Sequence, residues 1–523
     1  MARNAGFPVP FVFFERRIVI IIGRHRSLRA PRLKTSRRQP LYQRLAEQVT
    51  ASVRSGVLRP GDRVSSVRQA SQQHGMSITT VVRAYELLES SGVIESHPQS
   101  GYFVRPQFGR AGVAVARTLL SEQDSPAEPG RSEPLPVSAE VDVSRHVLAT
   151  LKSIHQNDAI PLGSPYPDPA LFPARRISQY NGAILRSGGP LGVLDDLPPG
   201  HPDLIRQIVR RHLETGLSID PGDVVITVGA TEAINLCLQA VAKAGDTIAV
   251  ESPTFYAMLH AIERLGMRAI EIPTDPRLGM DIGALKAIMQ TQPIAACMVM
   301  PNFQNPLGFE MPEENKRQLV ELGARYDMPI IENGVYNELY FGTAHPSVLK
   351  AYDKRGMVLY CSSFSKSLTS AYRIGWTLPG RYREQVEKLK FLNTLSTSTL
   401  PQRAIAAYLT AGGYDRHLRR VRSTLLQRCD IMSAFVGRFF PAGTRITRPA
   451  GGYVLWIELP AKIDSMALYR QALAEGITIA PGRLFSTSDA YRSFIRMNYS
   501  YSWTPEIERA IRRLAEMLAT MLE

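Results

Sequence analysis

The chain has 523 residues, more than one hydrophobic core organises, and ~100–200 residues per domain predicts roughly two to four units. Lys and Arg number 62 against 47 Asp and Glu, a formal charge of +15 that favours a polyanionic partner. Cys237, Cys297, Cys361 and Cys429 are scattered without pairing or metal-ligand spacing, which excludes a disulfide scaffold, gives no metal site and fits a reducing cytoplasm.

Much of the charge sits in residues 1–38, where ten Lys/Arg from Arg3 to Arg38 meet one acid, Glu15. The apolar pieces Phe11–Phe14 and Ile18–Ile22 are split by Glu15-Arg16-Arg17, so neither approaches the roughly 20 apolar residues of a membrane span. A signal peptide needs one uninterrupted apolar stretch before a small-residue cleavage site, and this alternation of charged and apolar pieces lacks it. The tail reads as disordered or as an over-long start, on a chain expected in the cytoplasm with no membrane partner.

Residues 39–105 carry dense helical periodicity. Leu41, Leu45, Val49 and Val53 recur every four residues, the apolar face of a first helix that stops at Gly56. A second begins at Ser66-Val67-Arg68, Gly75-Met76-Ser77 breaks it, and Ser77 is placed to cap a third that runs through Leu88. Two helices joined by a tight glycine turn read as a helix-turn-helix. After Gly92, VIESHPQSGYFV reads as two short strands around a Pro-Gln-Ser-Gly turn, a wing. Arg68, Ser77, Thr79 and Thr80 are short or cationic groups at a helix start, suited to phosphates and base edges in a major groove, and the wing adds His97, Ser100 and Gly101.

The helix-one face, G-D-R, S-V-R, S-x-T-T-V-x-x-A-Y-x-x-L-E and S-G-Y-F-V, in that order over about 65 residues, closely resemble the GntR-type winged helix. Double-stranded DNA is the partner this resemblance implies. Ile78 departs from the pattern, standing where GntR relatives often place a polar or basic residue, so thymine-methyl contact is expected there in place of a hydrogen bond to a base.

Residues 106–139 are rich in Pro, Gly, Ser and charge and read as a linker. From about 140 to 523, short apolar strands such as Val224–Val228, Thr247–Val250, Ala295–Met300 and Val358–Cys361 alternate with amphipathic helices, which predicts a mainly parallel α/β sheet covered on both faces. One further strand, from Met328 to Ile331, runs out into Glu332, Asn333 and Gly334, with Tyr336 two residues on.

CSSFSKSLTSAYRIGW (361–376) sets Lys366 among small hydroxyl residues after an apolar strand, with Arg373 seven positions later. A lysine so placed can form a Schiff base with an aldehyde cofactor, while Ser363 and Arg373 offer a donor and a guanidinium fork to a phosphate. TVGATEAINL (227–236) adds a glycine turn and a helix start whose free N–H groups at Ala230 and Thr231 form an anion site, and in PNFQNPLG (301–308) Asn305 can donate to a ring hydroxyl.

With ESPTFY (251–256), GGYVLW (451–456), APGRLF (480–485) and FIRMNYS (494–500), these stretches resemble a fold-type I aminotransferase that binds pyridoxal 5'-phosphate (PLP). The resemblance implies that Lys366 carries PLP and is the catalytic lysine. It also implies that Ser363, Arg373, Ala230 and Thr231 bind the phosphate, Phe255 stacks on the ring, Asn305 and Tyr336 contact the ring oxygen, and Arg496 grips a substrate carboxylate.

A mostly α winged helix-turn-helix joined to such a domain resembles the MocR subgroup of GntR transcription regulators, which implies a homodimer that senses a small amine, an amino acid or PLP itself. In those proteins the first Asp of an acid-Asp-Asp-x-Tyr strand end pairs with the pyridine nitrogen and keeps it protonated. Here that position is Asn333, an amide that cannot raise the ring nitrogen's pKa, so PLP binding is expected to survive and transamination to be weak or absent. Glu332 is an imperfect substitute, because adjacent strand residues point to opposite faces. LDDLPPG (194–200) is a second departure, standing where relatives often carry a tyrosine that reaches the partner subunit's phosphate. The alternative reading is an active aminotransferase with an appended DNA-binding domain.

Overall fold

A computed structural model describes residues 41–54, 58, 62–91, 93–97, 101–104, 126–142, 148, 159–188, 192 and 196–523. The basic tail, Gly56, Ser100, residues 105–125, Leu194 and Asp195 lie outside the described residues, as does the side chain of His97.

Three helices open the described chain: α1 (Leu41–Arg54), α2 (Val67–His74) and α3 (Ile78–Ser90). Ser66 and Gln69 form a reciprocal capping box at the start of α2, and Gly75, at φ 60°, ends it in the left-handed region that glycine enters without strain. Ser77 Oγ accepts from Thr80 N at 3.2 Å, fixing the start of α3. Val81, Ala84, Tyr85 and Leu88 then fall on one buried stripe that packs on Leu45 and Ala46. Strands β1 (Arg63–Val64), β2 (Ile94–His97) and β3 (Gly101–Val104) form an antiparallel sheet in the order β1-β3-β2, the wing. Gly101, at φ 100°, begins its returning strand.

The second unit starts with an edge strand, β4 (Ala139–Glu140), which pairs antiparallel with residues 268–269. Part of the linker-like stretch is therefore docked: Ser132 and Thr274 exchange hydrogen bonds, and Ile446 N donates to Ala127 O. After α4 (Ala174–Arg186) and α5 (Pro202–Glu214) come β5 (Val225–Thr227), α6 (Gly229–Val241), β6 (Thr247–Ser252), α7 (Tyr256–Arg264), β7 (Arg268–Asp275) and β8 (Gly279–Met280). The alternation continues through α8 (Ile282–Thr291), β9 (Ala296–Val299), α9 (Glu313–Tyr326), β10 (Ile330–Asn333), β11 (Val358–Ser363) and β12 (Gly375–Leu378). The large sheet runs β4-β7-β6-β9-β10-β11-β12-β5, with β8 on β7.

Strands β7, β6, β9, β10 and β11 are mutually parallel and largely buried on both faces, in keeping with sequences that are apolar apart from a few buried polar residues such as Glu251, Glu271 and Glu332. Strands β12 and β5 are antiparallel. Only residues 364–374 separate β11 from β12, too few for the crossover a parallel return requires, so the chain turns back on itself. That reversal brings Arg373 beside the end of β11, with Ser363 paired to Gly375.

Helices α10 (Arg383–Thr394), α11 (Thr399–Thr410) and α12 (Tyr414–Phe439) follow. A smaller antiparallel sheet, β13 (Arg445–Ile446), β14 (Val454–Glu458), β15 (Ala480–Pro481) and β16 (Phe494–Asn498), runs in the order β13-β14-β16-β15 and is flanked by α13 (Ser465–Ala474) and α14 (Pro505–Leu522). Helix α3 of the winged helix packs on α12.

The strand expected to end at Ile331 continues to Asn333, which pairs with Cys361 of β11. Glu332 can stay inside it because its buried carboxylate accepts the backbone N–H groups of Leu349 and Lys350 at 3.1 and 3.0 Å. Burial still raises its pKa to about 7, against those two amides.

Candidate functional site

In an open α/β sheet, ligands bind beyond the carboxyl ends of the parallel strands. Phe255 follows β6, Asn305 follows β9, Asn333 ends β10, and Ser363 ends β11 three residues before Lys366. The small sheet adds Arg496 from β16 and Tyr453, one residue ahead of β14.

Lys366 is half-buried, and its amine donates to Pro165 O at 2.8 Å and lies 4.4 Å from the Tyr166 ring centroid. Desolvation, then the nearby Arg496 and Arg373 charges, lowers its pKa to about 7. A useful fraction is therefore the neutral, nucleophilic amine near neutral pH.

Around the lysine loop, Arg373 Nη1 donates to Ser365 Oγ at 3.1 Å, and Ser365 N donates to Ser363 Oγ at 3.3 Å. Helix α6 begins opposite them with no side-chain cap, leaving the start of the helix at Gly229, Ala230 and Thr231 open. Close approach explains two glycines: a Cβ at Gly229 would meet Arg373 Nη2 at 2.6 Å, and one at Gly375 would meet Gly229 C at 2.5 Å. An uncapped helix start, a guanidinium and two serines gathered in this way suit a phosphate.

The opposite side of the site is a buried hydrogen-bond chain. Asn305 Nδ2 donates to Tyr336 Oη at 3.2 Å, Tyr336 Oη to Tyr453 Oη at 3.4 Å, and Tyr453 Oη to Pro165 O at 2.7 Å, the carbonyl that also holds Lys366. Burial raises the Tyr336 pKa, so it remains a phenol donor.

Arg496 is wholly buried, donates to Gly163 O at 2.5 Å and Asn305 Oδ1 at 3.5 Å, and leaves its Nε unpartnered; no carboxylate pairs with it among the described residues. A buried cation without a counter-charge costs several kcal/mol, and an anionic ligand offsets that cost. Asn333 is 3 % exposed and its Oδ1 has no partner. Gly334 beside it leaves room for Tyr360, whose Oη would lie 2.6 Å from an added Cβ. Phe255 is half-buried before α7, with its ring 4.5 Å from that of Tyr256.

Ser365, Pro165, Tyr166 and Tyr453 escape the sequence reading. GGYVLW marked the stretch containing Tyr453, but the Pro165 carbonyl carries no side-chain signal, and Ser365 is selected over other serines only by the reversal that places Arg373 beside it.

On the winged helix, Arg68, Ser77 and Thr79 are exposed, and Ile78 is 54 % exposed at the head of α3. Ser77 Oγ and Thr80 Oγ1 lie 2.8 Å apart, so both hydroxyls take part in the cap. Gly101 stands at the wing turn; Ser100 and the His97 side chain lie outside the described residues.

The molecule is thus a helix-turn-helix protein fused to an aminotransferase-like α/β domain. Residues 41–104 match the bacterial regulatory proteins of the gntR family, and residues 197–514 match aminotransferase class I and II. The HTH-type transcriptional regulator YdcR of Escherichia coli is 39% identical over 92% of this chain and 99% of its own length, and YjiR of the same organism is 34% identical over 92% and 99%. The crystal structure of Pyrococcus horikoshii kynurenine aminotransferase, solved with PMP, superposes with a TM-score of 0.66 at 29% identity, covering 72% of this chain and 95% of that one. The chain belongs to the MocR-type GntR regulators, which join a gntR winged helix to an aminotransferase class I and II domain. No helix among the described residues is long and apolar enough to cross a membrane.

Proposed function

We propose that this protein is a transcription regulator that binds double-stranded DNA through its winged helix and holds PLP on Lys366, so that a small amine, an amino acid or PLP itself acts as effector. The observation that carries the reading is the lowered Lys366 pKa beside an uncapped helix start and Arg373, in a chain that also presents an exposed recognition helix. The donor set fits the cofactor at both ends: Ser363, Ser365, Arg373 and the amides at 229–231 for its phosphate, and Asn305 with Tyr336 for its ring oxygen. Phe255 is assigned to the ring face.

PLP supplies an electrophilic carbonyl and, when its ring nitrogen is protonated, an electron sink. Pro165 O orients the Lys366 amine, and Arg496 accepts the carboxylate of an amino-acid ligand. Asn333 brings no negative charge to the ring nitrogen, and Glu332 is committed to Leu349 and Lys350, so this chain's residues bind and exchange amines better than they stabilise a carbanion. The reading includes a homodimer, in which ligand-driven movement of the small sheet repositions two winged helices. One observation favours an active aminotransferase instead: Arg496 is buried with its Nε unpartnered and no carboxylate beside it among the described residues, which suits it to an amino-acid carboxylate.

The test is linkage. Candidate amines and amino acids are titrated into PLP-treated protein with and without operator DNA, and a tenfold shift in affinity, ~1.4 kcal/mol, must appear reciprocally in DNA binding. Identical curves in both conditions, with turnover in the ordinary enzyme range of ~1–10³ per second, would replace the regulator reading with the enzyme.

A further inference from the structure

Between the winged helix and the aminotransferase-like domain lies a cavity of about 660 Å³. One wall is the carboxyl end of α3 and strand β2, with Glu89 and Glu95; the other is the start of α4, with Arg175 and Arg176, and the first turns of α12, with Arg416, Arg419 and Arg420. None of the five arginines has a carboxylate partner among the described residues. Glu89 Oε1 accepts from Ser96 N, and Glu95 has a partner of its own. Five guanidinium groups facing two carboxylates leave an excess of three positive charges in one cleft, an arrangement that repels itself unless an anion occupies it.

A second observation restricts the ligand further. His417 lines the same cleft, is 6 % exposed, and has no partner on Nδ1. Its Nε2 lies 2.8 Å from Ser367 O and must donate to that carbonyl, which makes Nδ1 of the neutral ring an acceptor. Burial lowers its pKa to about 4, so the ring stays neutral at physiological pH. An acceptor beside five cationic donors calls for a molecule carrying both negative charge and an O–H or N–H group.

The cleft is set back from the DNA-reading surface. Glu89 lies eleven residues beyond Ile78 on α3, ~16 Å along the helix axis from the exposed turn that carries Ser77 and Thr79. Its volume falls in the ~300–1,000 Å³ range of small-molecule pockets, where a phosphate backbone would instead need an open track.

We propose that this cleft binds a phosphorylated small molecule with free hydroxyl groups, of the sugar-phosphate or nucleotide class, and that occupancy holds the winged helix against α4 and α12. The arginines take the phosphate oxygens and His417 Nδ1 accepts from a hydroxyl. Because the two walls belong to different domains, binding fixes the position of α3 and so changes operator affinity. The site is separate from Lys366 and does not rest on the PLP assignment.

The probes are ribose 5-phosphate and pyrophosphate, titrated calorimetrically into the full chain. Saturable binding of ribose 5-phosphate at one per chain is expected, tighter than pyrophosphate, weakened at least tenfold by Arg416→Gln with Arg420→Gln and likewise by Arg175→Gln with Arg176→Gln, and unchanged by Arg373→Gln. These arginines are exposed or part-exposed and unpaired, so the variants should keep the wild-type melting temperature. Loss of binding in Arg373→Gln but not in the paired variants puts the probe at the strand ends and overturns the proposal. No saturable binding tighter than ~1 mM overturns it too. If neither probe binds and the paired variants lower the salt dependence of DNA affinity by about one unit per arginine, the cleft serves DNA phosphates and the proposal is wrong.

Discussion

At the strand ends, Arg496, Asn305, Tyr336 and Asn333 are buried, and all but Asn333 are held by hydrogen bonds to other protein atoms. At the starts of α2 and α3, Arg68 on the one and Ser77, Ile78 and Thr79 on the other lie exposed, with Ser77 and Thr80 joined in the cap of α3. A buried site concentrates binding energy in few groups, because each unpaired charge or donor there costs kilocalories. A DNA-reading surface spreads it over many screened phosphate contacts, each worth little alone. Substitutions should therefore be severe at the strand ends and mild on the helix, and each experiment below tests that gradient.

The largest effect belongs to Lys366. In PLP-treated protein, borohydride reduction and peptide mapping should place the pyridoxyl group on Lys366, and Lys366→Ala should abolish both that label and the visible absorption band. With its pKa lowered to about 7, the rate of cofactor capture should rise as pH increases through ~7, where the neutral amine becomes the major form, and level off above ~8. A rate that keeps climbing toward ~10 would mean an ordinary solvated lysine.

Arg496 comes next. Arg496→Gln should weaken amino-acid ligands about 30-fold or more, ~2 kcal/mol, because the carboxylate loses a buried charged partner. Affinity for a simple amine without a carboxylate should change little, and an equal loss for both would show that the substitution damages the fold rather than a carboxylate site.

How much of this gradient could be read before the structure depends on whether the partners are close in sequence. The cap at Ser77, the wing around Gly101 and the lysine among serines are local patterns, and local patterns survive in a single sequence. The hub at Pro165 is not local: it receives Lys366 from 201 residues away and Tyr453 from 288, through a backbone carbonyl that no composition reveals. The same holds for the pairing of Arg373 with Ser365, which depends on an antiparallel return whose place in a mainly parallel sheet the alternating pattern does not give. The arginines of α4 and α12 look like solvated faces until the fold sets them around one cavity. Asn333 is an intermediate case, since its type was legible while its place inside the strand was not.

Asn333→Asp tests that intermediate position. A carboxylate at the end of β10 restores a charge partner for a ring nitrogen, and transamination should rise about tenfold for each pKa unit gained there. Wild-type protein that already turns over at ordinary enzyme rates, with no gain in the variant, would remove the argument from Asn333. Protein mass should be checked first, because Asn333-Gly334 is prone to deamidation and would generate the same aspartate unaided.

The smallest effects belong to the reading surface, and they matter because they would show that the surface is a surface. Arg68 is exposed in the first turn of α2, the helix before the recognition helix, so Arg68→Ala should lower operator affinity by only a few-fold at ~0.1 M salt and reduce the salt slope by about one. The loss should be nearly uniform across sequences, since a phosphate contact positions the protein without reading bases. Ile78→Ala should behave differently: it removes an exposed apolar group, leaves the salt slope unchanged, and costs affinity only on operators with a thymine methyl beneath it. Replacing that thymine by uracil in the operator should cost wild-type protein about as much as Ile78→Ala does, and the two changes together should cost no more than either alone. If Arg68→Ala instead abolished binding, the reading surface would share the concentrated energetics of the buried site. If Ile78→Ala and the uracil operator added independently, Ile78 would not be the residue that meets the methyl group.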